Sequence, residues 1–470
     1  MPCGGAMAFR KVMIPVAGPL DDYAIELGQK NEEWGYVEYT RPEFIAGSFT
    51  EKGNKSRYYL MAKYETTELQ YKAMQGEACV KSSNKLRLPV VNNSWFSAVQ
   101  AADKYNLWLR ENAPQSLPTE DGVQGYLRLP TEVEWEFAAR GGINVVTSEF
   151  RDLRYPMEEG INSYEWFAGA QSANGKLQLS GLLKPNPLGL HDMLGNASEM
   201  MFESFRLNKI NRSHGQAGGY IVRGGNYLTQ QADITNTSRR EEPYYSATGE
   251  QTQKTHGFRL VLTAPVLTSR ERVASINDSW KRLGTGNEND GSKKTTADLA
   301  KITANVEDSA LKEQLEKVER QLRSSNQMQK ESENKAIQAS LQLGAFLCTK
   351  MLDDGLFVEH LETSYGNYCS NEMYNDRCPG LKEKLDAQKD SLGKLQNYYA
   401  SSLIEASRYG LSAFTEQVPV MENIIDTNLH LKSLKPFLTT HWQHQQFYLK
   451  TQQIKKSAWL NDCKALAVQK

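Results

Sequence analysis

Tyr126-Leu127-Arg128-Leu129-Pro130-Thr131-Glu132-Val133-Glu134-Trp135-Glu136-Phe137-Ala138-Ala139-Arg140-Gly141-Gly142 reads as a strand end joined to a capped helix, with little freedom between them. Pro130 brings no amide hydrogen and stops the extended run. Thr131 then stands where a side-chain oxygen accepts from the first free amides of a helix, and Glu134, three residues on, reaches back to complete a capping box. Gly141-Gly142 ends the helix, and Trp135 is placed to fill a core. Around this pivot, residues 37–265 are dense in glycine, proline, tryptophan and tyrosine, with short strand-like runs and long irregular connections. That is the texture of an α+β domain.

A chain of 470 residues is too long for one compact core, so two domains are expected. From Trp280 to Lys294 the residues turn small, polar and charged without apolar periodicity, which predicts a linker. The chain is divided accordingly into an N-terminal segment 1–36, an α+β domain 37–270, a linker 271–298 and an all-α C-terminal domain 299–470. In the last, Leu311, Leu315, Val318 and Leu322 share one helix face. The seam lapses at Ser325 and Gln329, so the stripe is assigned to the core of a small bundle in preference to a long coiled coil. Further helices are expected over Leu381–Phe414, with a split near Pro419, and from Val420 towards Leu466. His441 and His444 stand at helical spacing, but no cysteine or carboxylate near them in sequence completes a tetrahedral metal set. They are read as a partly exposed helix face.

Lysine plus arginine number 55 against 56 aspartate plus glutamate, a formal net charge of −1. This balance leaves no electrostatic case for nucleic acid or an anionic membrane, so partners should be proteins or small molecules. No apolar run reaches the roughly 18 residues of a membrane span, and Met1-Pro2-Cys3-Gly4-Gly5 lacks the apolar core of a signal peptide. The cysteines point to an oxidising compartment. Cys369 and Cys378 flank a segment rich in asparagine, glycine and proline that is able to close as a disulfide, and Cys348 and Cys463, in flanking helical segments, are a second candidate pair. Such bridges imply a periplasmic or extracellular protein. Cys3 before two glycines resembles the mature end of a lipoprotein, so lipid anchoring is open. Cys79 is read as a buried small hydrophobe.

Five further blocks accompany the opening stretch: Tyr64-Glu65-Thr66-Thr67-Glu68-Leu69-Gln70-Tyr71 and Leu88 to Ala98 upstream, then Asn186 to Glu199, Val222-Arg223-Gly224-Gly225-Asn226-Tyr227 and Gly257-Phe258-Arg259-Leu260-Val261-Leu262. In this order they resemble the formylglycine-generating enzyme (sulfatase-modifying factor) family over residues 40–265. The resemblance implies a fold akin to C-type lectins. Catalytic members hold copper on two cysteines just after the Arg-Gly-Gly block and oxidise a substrate cysteine with oxygen. The first of those positions falls here on Thr229 and the second on Ile234. Cu(I) prefers sulfur, and neither a hydroxyl nor an alkyl group replaces it. A second branch, the iron-dependent sulfoxide synthases, takes its metal from a His-rich helical domain placed before the fold, whereas here the helices follow it and no histidine precedes His191. No Gly-x-Ser-x-Gly nucleophile elbow appears. No catalytic residues are therefore assigned, and no copper or iron is expected.

What the resemblance retains is a structural calcium site in Leu194-Gly195-Asn196-Ala197-Ser198-Glu199, with Asn196 and Glu199 as side-chain ligands and Ala197 through its carbonyl. Ser198 and Met200 replace the family's usual aromatics. At the position of the family's substrate groove the chain offers Asn226, Tyr227, Thr229, Arg239, Arg240, Tyr244 and Tyr245, a set suited to a peptide or carboxylate. Gly224 and Gly225 are assigned to close backbone approach or positive φ, and Arg223 and Arg259 to bidentate bonds with carboxylates or carbonyls. The expected function is that of a non-catalytic, protein-binding member of the family, a periplasmic regulator of the kind found in threonine-phosphorylation control of type VI secretion. Two alternatives stand beside it: a copper- or iron-dependent oxidoreductase, and a lectin-like ligand-binding protein.

Overall fold

A computed structural model describes residues 1–285 except 32, 54 and 211, and residues 299–469 except 305, 307, 308 and 370–377. The chain divides into two compact units, Met1–Ile276 and Asn277–Lys470.

In the first unit, strands β1 (Phe9–Ile14), β2 (Arg57–Ala62), β3 (Tyr126–Arg128) and β8 (Val261–Thr263) form one antiparallel sheet in the order β1-β2-β8-β3. Strands β4 (Ser198–Ser204), β5 (Tyr220–Arg223), β6 (Arg239–Glu242) and β7 (His256–Gly257) form a second, in the order β6-β5-β4-β7, where only the β7–β4 pair is parallel. Because β1 belongs to the central sheet, residues 1–36 are not a separate segment. Helices start where capping residues put them. Thr67 caps α1 (Glu68–Met74), Ser94 caps α2 (Trp95–Asn112) and Thr131 with Glu134 caps α3 (Glu132–Ala139), each with a full capping box. After Arg140 the chain turns left-handed at Gly141, φ 96°. A core that includes Val12, Ile14, Tyr59, Met61, Trp135, Phe137, Leu194 and Ile221 fills the space between α3 and the sheets.

Helix α4 (Arg270–Arg282) occupies much of the stretch expected as linker, and residues 286–298 lie outside the described ones. The second unit is helical: α5 (Ser309–Cys369), α6 (Cys378–Ala406), α7 (Gly410–Thr427), α8 (Lys435–Thr451) and α9 (Lys456–Ala465). The expected break at Pro419 falls elsewhere. Pro419 lies inside α7, and the chain breaks at Ser407–Tyr409, where Gly410 takes φ 75° and lets a new helix begin. Nor is Leu311, Leu315, Val318 and Leu322 a bundle core: Leu311 and Val318 are about half exposed, and the packed core of the unit starts only at Ile337. α5 begins far ahead of the helices that pack on it.

His441 and His444 are buried instead of half-exposed. Tyr399 Oη lies 3.0 Å from His441 Nδ1 and 2.8 Å from His444 Nδ1, while His444 Nε2 lies 3.2 Å from Asp462 Oδ2. If His444 Nε2–H donates to Asp462, then Tyr399 donates to His444 and accepts from His441 Nδ1–H, which leaves His441 Nε2 as a buried lone pair facing Gly344.

All six cysteines are paired: Cys3–Cys79, Cys348–Cys463 and Cys369–Cys378. Cys79 is thus an exposed half-cystine that ties down the N-terminal residues, not a buried hydrophobe. No bridge joins the two units.

Candidate functional site

Helix α3 carries Glu132, Glu134 and Glu136, and its two inward glutamates organise the site. Glu136 Oε2 accepts from Arg223 Nη2 at 2.6 Å and Glu136 Oε1 from Arg140 at 2.9 Å and 3.0 Å. Glu132 accepts from Arg239 at 2.6 Å and 3.0 Å and from Arg223 at 3.1 Å, and it forms an ion pair with Arg41 at 3.2 Å. All these groups are buried. Burial pushes both carboxyls up, but the guanidiniums overcome it. Arg223 and Arg140 hold Glu136 at about 2, and Arg239, Arg41 and Arg223 hold Glu132 below the usual range.

Arg223 leads into the Gly224-Gly225 turn, with φ 86° and 71°. A Cβ on Gly224 would meet Met193 O at 2.7 Å, so this glycine is required for close approach as well as for its φ. Beyond the turn, Asn226 N donates to Thr229 Oγ1 at 2.9 Å, and Ile234 is fully buried. A Cβ on Gly225 would stand 2.8 Å from Ile234 Cδ1 and 3.2 Å from Thr229 Cγ2, so the two side chains converge over one glycine. One is a turn cap and the other a core residue.

Beside this loop the surface is aromatic. Trp95 and Phe96, at the start of α2, pack with Tyr244 at ring separations of 5.2 Å and 5.6 Å, and Phe96 lies 5.3 Å from Tyr245. Tyr220 and Phe202 extend the cluster, and Tyr245 and Phe202 are 64% and 46% exposed. Ser94 Oγ donates to Glu250, which ties the hairpin Tyr244–Gln251 to the head of α2. Arg240, exposed, is held by Glu242 at 2.9 Å and by His256 Nε2 at 3.0 Å.

Residues 32–264 match the family model of the sulfatase-modifying factor enzyme 1-like domain. Through this domain the chain belongs to that family. Among its relatives are the chaperone protein LppX of Paenibacillus barcinonensis, 24% identical over 191 residues, and the inactive C-alpha-formylglycine-generating enzyme 2 of the mouse, 26% identical over 186 residues. The serine/threonine-protein kinase pkn1 of Chlamydia pneumoniae is 32% identical over 153 residues. These matches cover 33%, 38% and 29% of the chain and 66%, 51% and 22% of the respective relatives, less than two thirds of each. Among solved structures, Treponema denticola variable protein 1 aligns with a TM-score of 0.42 at 18% identity, over 56% of this chain and 98% of that one. PvdO from Pseudomonas aeruginosa aligns with 0.37 at 16%, over 54% and 94%.

In this sulfatase-modifying-factor-like domain the seven expected groove residues separate. Asn226 is buried, its Oδ1 accepting from Leu228 N and its Nδ2 donating to Ser198. Tyr227 is buried, and Arg239 is consumed by Glu132. These three are framework, and a buried guanidinium paired with a buried carboxylate is not available to a ligand. Thr229, Arg240, Tyr244 and Tyr245 remain at or near the surface. Trp95, Phe96 and Phe202 were missed. Their signal was present in Ser94-Trp95-Phe96, where two aromatics follow a helix cap on a residue pair that cannot both face the core.

The calcium expectation does not fit this geometry. Both Glu199 oxygens lie 2.7 Å from Arg259 Nε, and Oε2 also accepts from Trp135 Nε1 at 2.8 Å. Asn196 Oδ1 accepts from Gln178 N, and its Nδ2 donates to Glu65. The carboxylate nominated as ligand thus has a guanidinium as its counter-charge, and the amide oxygen already accepts one backbone bond. Among the described residues no three His, Cys, Asp or Glu side chains form a metal-holding group. Among the described residues the buried carboxylate oxygens without a partner are instead Asp192 Oδ1 and Glu165 Oε2. Desolvation pushes Glu65 and Glu165 well up, and it raises Asp192 to about 6.

Proposed function

We propose that the domain is a non-catalytic binding module of an exported protein and that it presents the aromatic lip of Trp95, Phe96, Phe202, Tyr244 and Tyr245 to a protein partner. The carrying observation is the convergence of Thr229 and Ile234 over Gly225, where the family's catalytic members place two thiols. A turn cap and a core residue supply no soft ligand for copper. Exposed aromatic side chains braced by a packed cluster are the usual anchors of protein interfaces, and Arg240 beside them suits a carboxylate. Three disulfides, together with the lack of any described helix long and apolar enough to cross a membrane, support a periplasmic or extracellular site of action. The similarity to a segment of chlamydial serine/threonine kinases supports a setting in serine or threonine phosphorylation, and the control of type VI secretion is the specific case we favour.

The test is aerobic incubation of the purified chain with Cu(I) and cysteine-containing peptides, with metal content and peptide mass read together. The expected result is less than about one tenth of an equivalent of copper retained after dialysis, and unchanged peptide mass. Stoichiometric copper with oxidised peptide would overturn the reading.

A further inference from the structure

The hairpin of residues 244–251 is held to its own domain by very little. Its strands, Tyr245–Ser246 and Gly249–Glu250, pair only with each other, and residues 245–250 are all exposed. Among the described residues, no backbone hydrogen bond joins residues 244–250 to the body of the domain. Two side-chain contacts do so: Ser94 Oγ donates to Glu250, and Tyr244 Oη lies 3.4 Å from Ser204 Oγ. An element with so few ties and so much exposed backbone is among the first to open.

What the hairpin covers is aromatic, with polar groups left unpaired beside it. Tyr245 lies over Phe96, and Tyr244 packs on Trp95, Phe96 and Tyr220, the last at a ring separation of 5.5 Å. In this cluster the Tyr220 hydroxyl is buried without a hydrogen-bond partner. Asn93, next to Ser94 in the chain, is 8% exposed, and neither of its amide atoms is paired. Nearly all buried polar groups in folded proteins are paired, so these two mark a place where a partner is missing.

We propose that the hairpin is a displaceable strap and that the lip's partner is an extended segment which copies it, with a tyrosine in place of Tyr245 on Phe96 and a carboxylate in place of Glu250 on Ser94. This rests on the reading of the lip as a binding surface. Tyr245 and Glu250 stand directly opposite each other in the hairpin, so their side chains share one face. A single extended strand offers the same pair from residues i and i+2. Ser94 caps the 18-residue helix α2, whose N-terminus favours an acid over an amide at that point. The strap acts as a tethered competitor at high effective concentration, so the closed chain binds such a segment weakly and a loosened one binds it tightly.

The experiment uses the full chain and, as probe, a fluorescent peptide of residues 243–252, with binding read by anisotropy. Glu250→Ala and Tyr245→Ala each loosen the strap and leave Phe96 and Ser94 in place. Both variants are expected to bind the peptide about tenfold more tightly than the parent, and the peptide carrying Glu250→Gln to lose about tenfold again. Phe96→Ala added to either variant should abolish the gain. Thermal melts confirm folding, and the two independent loosening substitutions guard against one that fails to fold. Binding that is equal in parent and variants but lost with Phe96→Ala overturns the strap and leaves the lip as a binding surface. Absence of binding in every form overturns the inference, and binding that Phe96→Ala leaves unchanged overturns the reading of the lip with it.

Discussion

Asp192 is the residue whose chemistry is least settled by its neighbours. It sits at φ 52°, accepts from Gly181 N through Oδ2, and leaves Oδ1 without a partner. Its carboxyl rises from 3.8 to about 6 because desolvation penalises the charge, so its contribution is present in full at low pH and is lost as pH rises through 6. Asp192→Asn should therefore gain stability relative to the parent as pH goes from 5 to 8, by about 1 to 1.5 kcal/mol over that interval, the rest of the loss falling between about pH 4 and 5. Parallel denaturant titrations at the two values measure it, and a constant difference would refute the assignment. In the helical unit, a Cβ on Gly344 would stand 2.1 Å from the buried His441 ring, so Gly344→Ala should cost about 3 kcal/mol, read from the thermal midpoint. Residue by residue, the sequence was readable where local geometry dictates the choice, as at Thr131, Glu134, Gly224 and Gly225. It was less readable at Arg239 and Arg240, taken together as a pair for ligand binding. Side chains alternate along a strand, so β6 turned one inward to Glu132 and the other outward.

At the scale of elements, α3 is set by its cap and by what its buried face pairs with. Glu134 closes the capping box and also accepts two bonds from Arg128, at 2.7 Å and 2.8 Å. Thr131→Ala removes one acceptor and should cost about 1 kcal/mol, since the Glu134 half of the box persists. A chemical denaturation midpoint checks this. The capped helices and the coarse α+β character could be anticipated because periodicity and capping are local signals. Helix α4 could not, since its residues Arg270–Arg282 include few that are apolar and none that is buried. The exposed start of α5 was misjudged for a related reason. An apolar stripe states that a face prefers cover, not that a neighbour is long enough to supply it.

For the molecule as a whole, two units with separate cores predict that Met1–Ile276 and Asn277–Lys470 each fold when expressed alone. Circular dichroism and cooperative melts of the two fragments test this, and a fragment that melts without cooperativity would show that its core depends on the other. The placement of the cystines bears on how such a chain matures. Six thiols offer fifteen complete pairings, of which one is native. With two of them confined to the first unit and four to the second, a chain whose units collapse one after the other chooses among only three. On the proposed reading of an exported protein, oxidation during emergence would then meet the Cys3–Cys79 pair before any competitor has appeared, and a disulfide isomerase would have errors to correct only in the helical half.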